Sequence, residues 1–511
     1  MYNHSRDQKR IAKNTLMLYI RMIIIMIVTL YTTRVVLNVL GVTDYGIYNI
    51  VGSVVVSVVF IQNSLMSATQ RFLSYEMGLG ENGDVAKVFS SSLILHFKFM
   101  LIIFLLFETI GLWFLNKVLD IPPDRMWAAN IVYQFSIITF CLNLYRTPYN
   151  AIIISYESMN IYAVLSIVEA ILKLSIVIAL KYLYSDKLIA YGVLVFAITF
   201  IINALYIAYC RKNYKADTQF DWRGDKVVIK KLRGFLGWNL LGGVTGVATN
   251  EGPNYFMNYY LGVSVNAAMG IAKQVSTAVY QFTANFQAAF NPPIVKSYAS
   301  NDKDYLFGLI NKTSELSFYL LFLFAFPIIL CADFIFKLWL IDVPDYTVIF
   351  CILMIINQLV SAMSSPLWMV AHATGDIKQY QIVLSVINLM IIPASFVILE
   401  FHYPAYYILV FQVFLSVIIF LYRLWFVKKQ LNFPVGKYLV EVVMKCIIMV
   451  LIIIPIPLLF ARKADGFVDN ILIIIISIII SGLVFFTFGL DKATRKSVIA
   501  YTQKFYKRNS K

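Results

Sequence analysis

The segment Leu16–Gly78 reads LMLYIRMIIIMIVTLYTTRVVLNVLGVTDYGIYNIVGSVVVSVVFIQNSLMSATQRFLSYEMG. Its apolar runs predict two membrane-spanning helices that are joined by a tight turn at residues 41–46. Arg21, Arg34 and Arg71 lie within or beside these runs. Because an ionised side chain in hydrocarbon is costly, each arginine is expected to face a bundle interior or a wet cavity. Three arginines in the first two helices therefore indicate a path for an anionic group.

The composition of the whole chain agrees with a membrane protein. The 511 residues are 60% apolar and 14% charged, with a mean hydropathy of +0.76. Soluble proteins have roughly 45–50% apolar and about 25% charged residues. Since one span takes about 20 apolar residues, a chain of this length holds about twelve to fourteen helices.

The hydropathy profile predicts an all-α polytopic membrane protein with about fourteen transmembrane helices. The predicted spans are residues 14–40, 46–73, 89–115, 127–151, 159–182, 189–210, 234–260, 266–290, 306–332, 346–370, 379–400, 404–427, 438–460 and 468–489. Both termini then lie on the same side of the membrane.

The distribution of Lys and Arg predicts the orientation. If the N-terminus is cytoplasmic, basic residues concentrate in the even-numbered loops and both tails, and the other loops hold only Lys117, Arg125, Lys181, Lys187, Lys337, Arg462 and Lys463. Cytoplasmic loops carry such an excess, so both termini are predicted to be cytoplasmic. The formal charge of +16 is thereby explained without nucleic acid. Residues 1–13 are not read as a signal peptide, because the apolar run that follows is too long.

An internal repeat divides the chain. The residues around Leu40–Gly41, Ser74–Tyr75 and Pro148 recur around Leu261–Gly262, Ser297–Tyr298 and Pro366, at offsets of about 220 residues. Two halves of six helices have the same orientation in the membrane, and transporters with such repeats bind substrate where the halves meet. The predicted organisation is two pseudo-symmetric six-helix lobes plus two extra helices: a tail at 1–13, lobes at 14–210 and 234–427, a basic linker at 211–233, an added pair at 438–489 and a basic tail at 490–511. The linker is either a topology signal resting on anionic headgroups or a hinge between the halves.

Polar side chains within the spans give the candidate site. Arg146 in span four and Lys273 in span eight join the three arginines as candidate cations for substrate binding. Each arginine of span one is alternatively a snorkelling residue that reaches the headgroups. The polar cavity or gate candidates are Asn63, Ser67, Gln70, Asn250, Glu251, Asn254, Gln281 and Asn285. Asn63, Ser67 and Gln70 share one helical face and should therefore avoid lipid.

Glu169 and Lys173 are four residues apart in span five, a spacing that predicts a structural ion pair. The deep charges of the first half nevertheless lean cationic, and a cavity with that balance would attract phosphate, which suits the bidentate guanidinium.

Enzymatic functions find little support in the sequence. The four histidines are far apart, the five cysteines have no paired spacing, and no glycine-rich nucleotide loop is present. We therefore predict that the chain is not an enzyme, has no cofactor and holds no metal site.

Several motifs carry a resemblance to a known family. They lie at Leu37–Gly41, Asp44–Tyr48, Gln70–Glu76, Asn266–Ala272, Ala289–Tyr298 and Thr374–Tyr380. In these motifs the chain resembles the bacterial polysaccharide-repeat flippases, of the O-antigen and capsule type, in the multidrug/oligosaccharidyl-lipid/polysaccharide exporter superfamily. The resemblance covers most of the chain.

The resemblance implies two six-helix lobes around a central cavity, with alternating access. It implies translocation of a polyprenyl-diphosphate-linked oligosaccharide repeat unit, as in lipopolysaccharide or capsule synthesis, across the bacterial cytoplasmic membrane. Cationic residues of helices one, two and eight meet the substrate in that family. Here those helices hold Arg21, Arg34, Arg71 and Lys273, of which only Arg71 lies within a shared motif. The expected partners are this lipid-linked substrate, membrane lipids, a coupling ion (H⁺ or Na⁺) and other polysaccharide-assembly proteins.

Two rival functions remain open. A cation-coupled multidrug exporter of the same superfamily would need a deep acidic residue in the first lobe, where Glu108 and Glu169 have neighbours that could neutralise them. A membrane polysaccharide polymerase or acyltransferase would show a large external loop or a histidine-centred site, and it ranks third.

Overall fold

The computed structural model describes residues 4–56, 58–117, 121–182, 186–222, 224–261, 263–340, 343–461, 466–490 and 495. These residues are almost entirely helical, and no strand occurs among them. Ten helices are long and apolar enough to cross a membrane: Val85–Lys117, Pro123–Ser155, Met159–Tyr182, Lys187–Asn213, Lys303–Leu330, Thr347–Thr374, Lys378–Glu400, Tyr406–Leu431, Val435–Ala461 and Phe467–Gly489. The predicted all-α membrane fold is confirmed.

Four further long helices are less apolar. They are His4–Val56, Val59–Gly78, Lys226–Leu261 and Val263–Ala299. With the ten apolar spans they account for the fourteen predicted helices. These four coincide with the first two helices of each predicted half, where most of the candidate polar and cationic residues lie.

Of the tight turn predicted at residues 41–46, Gly41 alone departs from helical geometry, and residues 42–46 are helical. This glycine interrupts the helix His4–Val56 with φ 78° and ψ 170°, a conformation that glycine adopts without a steric penalty. The second predicted span, 46–73, is in fact divided. One helix ends at Val56, another begins at Val59, and the latter continues to Gly78. A hydropathy window does not detect this break because apolar residues flank it on both sides.

Aspartate side chains begin several helices. Asp84 accepts a hydrogen bond from the backbone N–H of Lys87 at 3.0 Å, and Asp186 accepts one from Leu188 at 3.0 Å. The Asp225 carboxylate likewise accepts hydrogen bonds from the backbone N–H groups of Val227 and Val228. The helix that follows begins at Lys226, so the final residues of the predicted linker 211–233 are helical. Such caps satisfy the N–H groups that a first turn leaves without partners.

Asp225 also forms an ion pair with Lys87, whose Nζ lies 2.9 Å from a carboxylate oxygen. Hydrogen bonds from the Lys87 ammonium and from the backbone of Val228 lower the pKa of Asp225. The cap therefore keeps its charge at neutral pH.

A π-helical segment at Phe107–Gly111 widens the helix Val85–Lys117. The Tyr133 hydroxyl donates a hydrogen bond to the Phe107 carbonyl at 2.9 Å. A Cβ at Gly111 would lie 2.0 Å from the Tyr133 hydroxyl oxygen, so only glycine leaves room for this bond. The buried tyrosine thereby satisfies a carbonyl within the altered helical segment.

The chain forms two compact units. Unit 1 comprises Met1–Val244, Ala288–Lys303 and His372–Ile382, and unit 2 comprises Thr245–Gln287, Asp304–Ala371 and Val383–Lys511. Each has its own apolar core, built around residues such as Phe89 and Tyr133 in unit 1 and Phe336 and Phe350 in unit 2. The predicted lobe boundaries stay a prediction.

Unit 1 contains a deeply buried ion pair. The Lys296 ammonium lies 2.7 Å from a carboxylate oxygen of Glu157, whose side chain is fully buried. The two residues are 139 positions apart, and they join the loop after Pro123–Ser155 to the end of Val263–Ala299. Removing one partner of such a pair leaves an uncompensated charge in a low-dielectric environment.

We expect Lys296→Met to lower the free energy of unfolding by about 3–5 kcal/mol, because the Glu157 carboxylate loses its counter-charge. The measurement is equilibrium unfolding of the purified protein. Lys437→Met is the matched control, since Lys437 and Glu441 are exposed and 3.8 Å apart, and such surface pairs contribute about 0–1 kcal/mol. Equal stability of the two variants would contradict the expected role of the buried pair.

Candidate functional site

Unit 1 contains a polar cavity of about 510 Å³. This volume lies within the roughly 300–1,000 Å³ that small-molecule sites occupy. Four helices contribute to its wall: His4–Val56, Pro123–Ser155, Met159–Tyr182 and Lys187–Asn213. The charged residues that line it are Arg21, Arg146, Glu169 and Lys173.

One carboxylate in this cavity is shared by two cations. The Arg146 guanidinium lies 3.1 Å from one oxygen of Glu169, and the Lys173 ammonium lies 2.8 Å from the other. The predicted pair between Glu169 and Lys173 is therefore confirmed, and Arg146 joins it from a neighbouring helix. Two cations and one carboxylate give the three side chains a formal charge of +1.

Arg21 adds a further positive charge. Its guanidinium carbon lies 4.5 Å from the ring centre of Tyr162, a cation–π contact. Its Nε is buried without a hydrogen-bond partner in the described part of the chain. Within the described residues no carboxylate pairs with Arg21, so the cavity holds three cations against one anion.

Two tyrosines and two smaller polar residues complete the wall of the unit 1 cavity. Tyr162 and Tyr206 stack against the two guanidinium groups, with Arg146 lying 5.1 Å from the Tyr206 ring centre. Asn150 and Ser166 add short polar side chains. The cavity therefore combines fixed cations with donors and acceptors, an arrangement suited to an anion with several oxygens.

Arg71 does not line this cavity. Its Nε donates to the His372 carbonyl at 3.2 Å, and its Nη2 donates to the Ala373 carbonyl at 2.6 Å. It also lies over the rings of Phe72 and Tyr75 and is 7% exposed. Arg71 therefore contacts backbone carbonyls and aromatic faces within unit 1.

The remaining cationic candidates have separate positions. Arg34 lies within the first helix, but its side chain is outside the described residues. Lys273 belongs to unit 2, where its ammonium lies 2.6 Å from Glu251. Asn254 donates to the same carboxylate at 3.1 Å, so three candidates of unit 2 form one local cluster in which the charges cancel.

The polar candidates are dispersed. Asn63 is exposed, whereas Ser67 and Gln70 are half-buried on the helix Val59–Gly78. In unit 2, Gln281 is exposed and its carbonyl accepts a hydrogen bond from Asn285 at 2.8 Å.

Asn250 is also exposed, and it lines a second, smaller cavity within unit 2. Of the predicted cations whose side chains the structure describes, it brings together Arg21 and Arg146, which both line the unit 1 cavity.

Sequence reasoning missed several lining residues of the unit 1 cavity, among them Asn150, Tyr162 and Ser166. A signal was present, because Tyr162, Ser166, Glu169 and Lys173 are spaced three to four residues apart and share one helical face.

Comparisons with known proteins identify the fold. No protein-family model matches the chain, and no curated protein sequence matches it. Solved structures do match. One is an outward-facing multidrug resistance MATE family transporter of the MOP superfamily, with 12% identity, a TM-score of 0.70, and coverage of 82% of this chain and 95% of that one.

Two further structures match to a similar degree. A MOP superfamily transporter from Pyrococcus furiosus, described as having a binding pocket of reverse polarity that suggests a different function, has 11% identity, a TM-score of 0.67 and coverage of 84% and 96%. The MATE transporter ClbM in complex with Rb⁺ has 13% identity, a TM-score of 0.68 and coverage of 81% and 94%. The chain has the fold of these transporters.

We expect Arg21 and Arg146 to differ in their effect on stability. Arg21→Met removes a cation that has no carboxylate partner among the described residues, so the melting temperature should stay unchanged or rise. Arg146→Met breaks an ion pair and should lower the free energy of unfolding by about 1–3 kcal/mol, since Lys173 still neutralises Glu169. Thermal unfolding of the two variants in one detergent provides the measurement. A loss of stability in Arg21→Met as large as that in Arg146→Met would show that Arg21 is structural.

Proposed function

We propose that the chain is a membrane transporter for an anionic substrate, and that this substrate is a polyprenyl-diphosphate-linked oligosaccharide. The single observation that carries the proposal is the charge of the unit 1 cavity, whose described lining includes three cations, Arg21, Arg146 and Lys173, and one carboxylate, Glu169, which is paired with Arg146 and Lys173. In this proposal transport proceeds by alternating access across the bacterial cytoplasmic membrane, with both termini cytoplasmic and other polysaccharide-assembly proteins as partners.

The physical problem is the desolvation of a diphosphate. Moving it across about 30 Å of hydrocarbon requires that hydrogen bonds and cations replace the lost water. The planar guanidinium offers two parallel N–H groups to phosphate oxygens, and this contact is stronger than a neutral hydrogen bond. Arg21 is suited to this role because no protein carboxylate competes for it among the described residues.

A cation-coupled multidrug exporter is the second candidate function. The solved structures favour it over the oligosaccharide, because two of them are MATE transporters, one described by multidrug resistance and the other in complex with Rb⁺. An exporter needs an acidic residue that exchanges a proton or sodium ion for its cargo. Glu169 is paired with two cations. One oxygen of Glu108 accepts a hydrogen bond from Gln134 at 3.2 Å, and the other is buried with no hydrogen-bond partner among the residues that the structure describes.

The charge of the unit 1 cavity distinguishes the two functions. A cationic drug would be repelled by three positive side chains, whereas a diphosphate would be attracted. The reverse polarity described for the Pyrococcus furiosus transporter concerns a member of the same fold, which supports the view that pocket charge varies within this fold. Both candidates are transporters, as are these solved structures, so a polymerase or acyltransferase is not retained.

The first test measures translocation of a labelled lipid-linked oligosaccharide in proteoliposomes. Arg21→Ala should reduce the rate about 10- to 100-fold, because a hydrogen bond to a charged group contributes about 1.5–3 kcal/mol. Lys98→Ala is the matched control, since Lys98 is an exposed cation of unit 1 that does not line the cavity. Equal transport by Arg21→Ala and the native protein would remove Arg21 from the site.

The second test measures efflux of cationic dyes from proteoliposomes under an imposed proton or sodium gradient. The proposed function predicts no efflux above protein-free vesicles, because the cavity repels cations. Efflux that depends on the gradient and is lost in Glu108→Gln would instead establish the exporter. Glu81→Gln is the control for the loss of one carboxylate, since Glu81 is exposed at the end of a helix.

A further inference from the structure

Unit 2 contains its own polar cavity, of about 200 Å³. It lies among four helices, Lys226–Leu261, Thr347–Thr374, Lys378–Glu400 and Tyr406–Leu431. Four side-chain amides line it, together with four hydroxyl groups of Ser and Thr and one guanidinium. The amides are Asn250, Asn357, Asn388 and Gln412.

The charge of this cavity differs from that of the unit 1 cavity. Among the described residues no Asp or Glu lines it, and the one cation in that lining, Arg423, donates a hydrogen bond to the Ser364 hydroxyl at 2.7 Å. An inorganic cation would therefore find no counter-charge. An anion would meet one guanidinium that already has a protein partner.

The protein provides hydrogen-bond partners for only some of the side-chain amides that line this cavity. The Asn357 carbonyl oxygen accepts a hydrogen bond from the Ser416 hydroxyl. The side chains of Asn250, Asn388 and Gln412 have no hydrogen-bond partner among the described residues. Each primary amide offers two donors and one acceptor. Within a membrane-spanning bundle such groups are costly unless water or a ligand satisfies them.

We propose that this cavity binds one uncharged, polyhydroxylated ring, namely a neutral sugar residue. Sugar hydroxyl groups both donate and accept, as do the amide and hydroxyl side chains of the wall. The cavity is smaller than the roughly 300–1,000 Å³ of drug-sized sites, so it fits a single ring and not a whole oligosaccharide. The inference rests on the proposed function in one respect only, namely that the sugar ring is part of the transported oligosaccharide.

Binding of free sugars tests the inference without any transport measurement. The probes are the methyl glycosides of glucose, galactose and N-acetylglucosamine, with methyl phosphate as the anionic probe and tetramethylammonium as the cationic probe. Saturation-transfer NMR on the protein in lipid nanodiscs detects weak binding, and the absence of sugar-headed detergent removes a competitor. At least one glycoside should bind, and the two charged probes should not.

Substitutions in the wall locate the site. Asn388→Leu and Gln412→Leu should each weaken glycoside binding about ten-fold, through the lost hydrogen bonds and the unpaired sugar hydroxyls that remain. Asn116→Leu is the matched control, because Asn116 is an exposed amide of unit 1. Binding that is unaffected by both wall substitutions would overturn the proposal.

Other outcomes are equally decisive. Binding of methyl phosphate that is lost in Arg423→Gln, without glycoside binding, would make the cavity an anion site. If none of the probes binds, the cavity is a water-filled space and the proposal is refuted. Glycoside binding without oligosaccharide translocation would preserve this inference and refute the proposed cargo. Translocation without glycoside binding would preserve the proposed cargo and refute this inference.

Discussion

The cost of leaving a charge without a partner in a membrane interior governs the arrangement of this protein. Three carboxylates of the long helices are paired: Glu169 with Arg146 and Lys173, Glu251 with Lys273, and Glu315 with Lys445. Each pair is local to one unit, so each of these carboxylates has a counter-charge within its own unit. Arg21 differs from these residues, because within the described part of the chain no carboxylate pairs with it and its Nε is buried without a hydrogen-bond partner.

The sequence predicted the fold class because hydropathy and length determine which segments can cross a bilayer. It also predicted the pair between Glu169 and Lys173, since both lie on one helical face. It could not predict that Arg146 completes this cluster, or that Lys445 binds Glu315 across 130 residues. Such partners lie on separate helices, and their proximity depends on packing that periodicity does not encode. Arg71 illustrates the same limit, because its partners are backbone carbonyls that no sequence motif marks.

The residues that line the unit 2 cavity have a spacing in the sequence that already indicates polar helical faces. Gln412, Ser416 and Arg423 fall on one face of the helix Tyr406–Leu431, and Asn357, Ser361 and Ser364 fall on one face of Thr347–Thr374. These are polar stripes of the same kind as the one at Asn63. At 11–13% identity the chain shares its fold with these solved transporter structures. The apolar faces of the helices are sufficient to maintain a common fold, so the polar faces are free to differ between the proteins.

The contacts of unit 1 also constrain how the protein is made. Arg71 and Glu157 lie early in the chain, yet their partners are the carbonyls of His372 and Ala373 and the ammonium of Lys296. A nascent chain that has emerged only through its first six helices holds a guanidinium and a carboxylate that still await their partners. Domains usually fold as they leave the ribosome, N-terminal first. Because unit 1 includes His372–Ile382, it is completed only after residue 382 has been synthesised, and its early helices are made before these downstream partners exist.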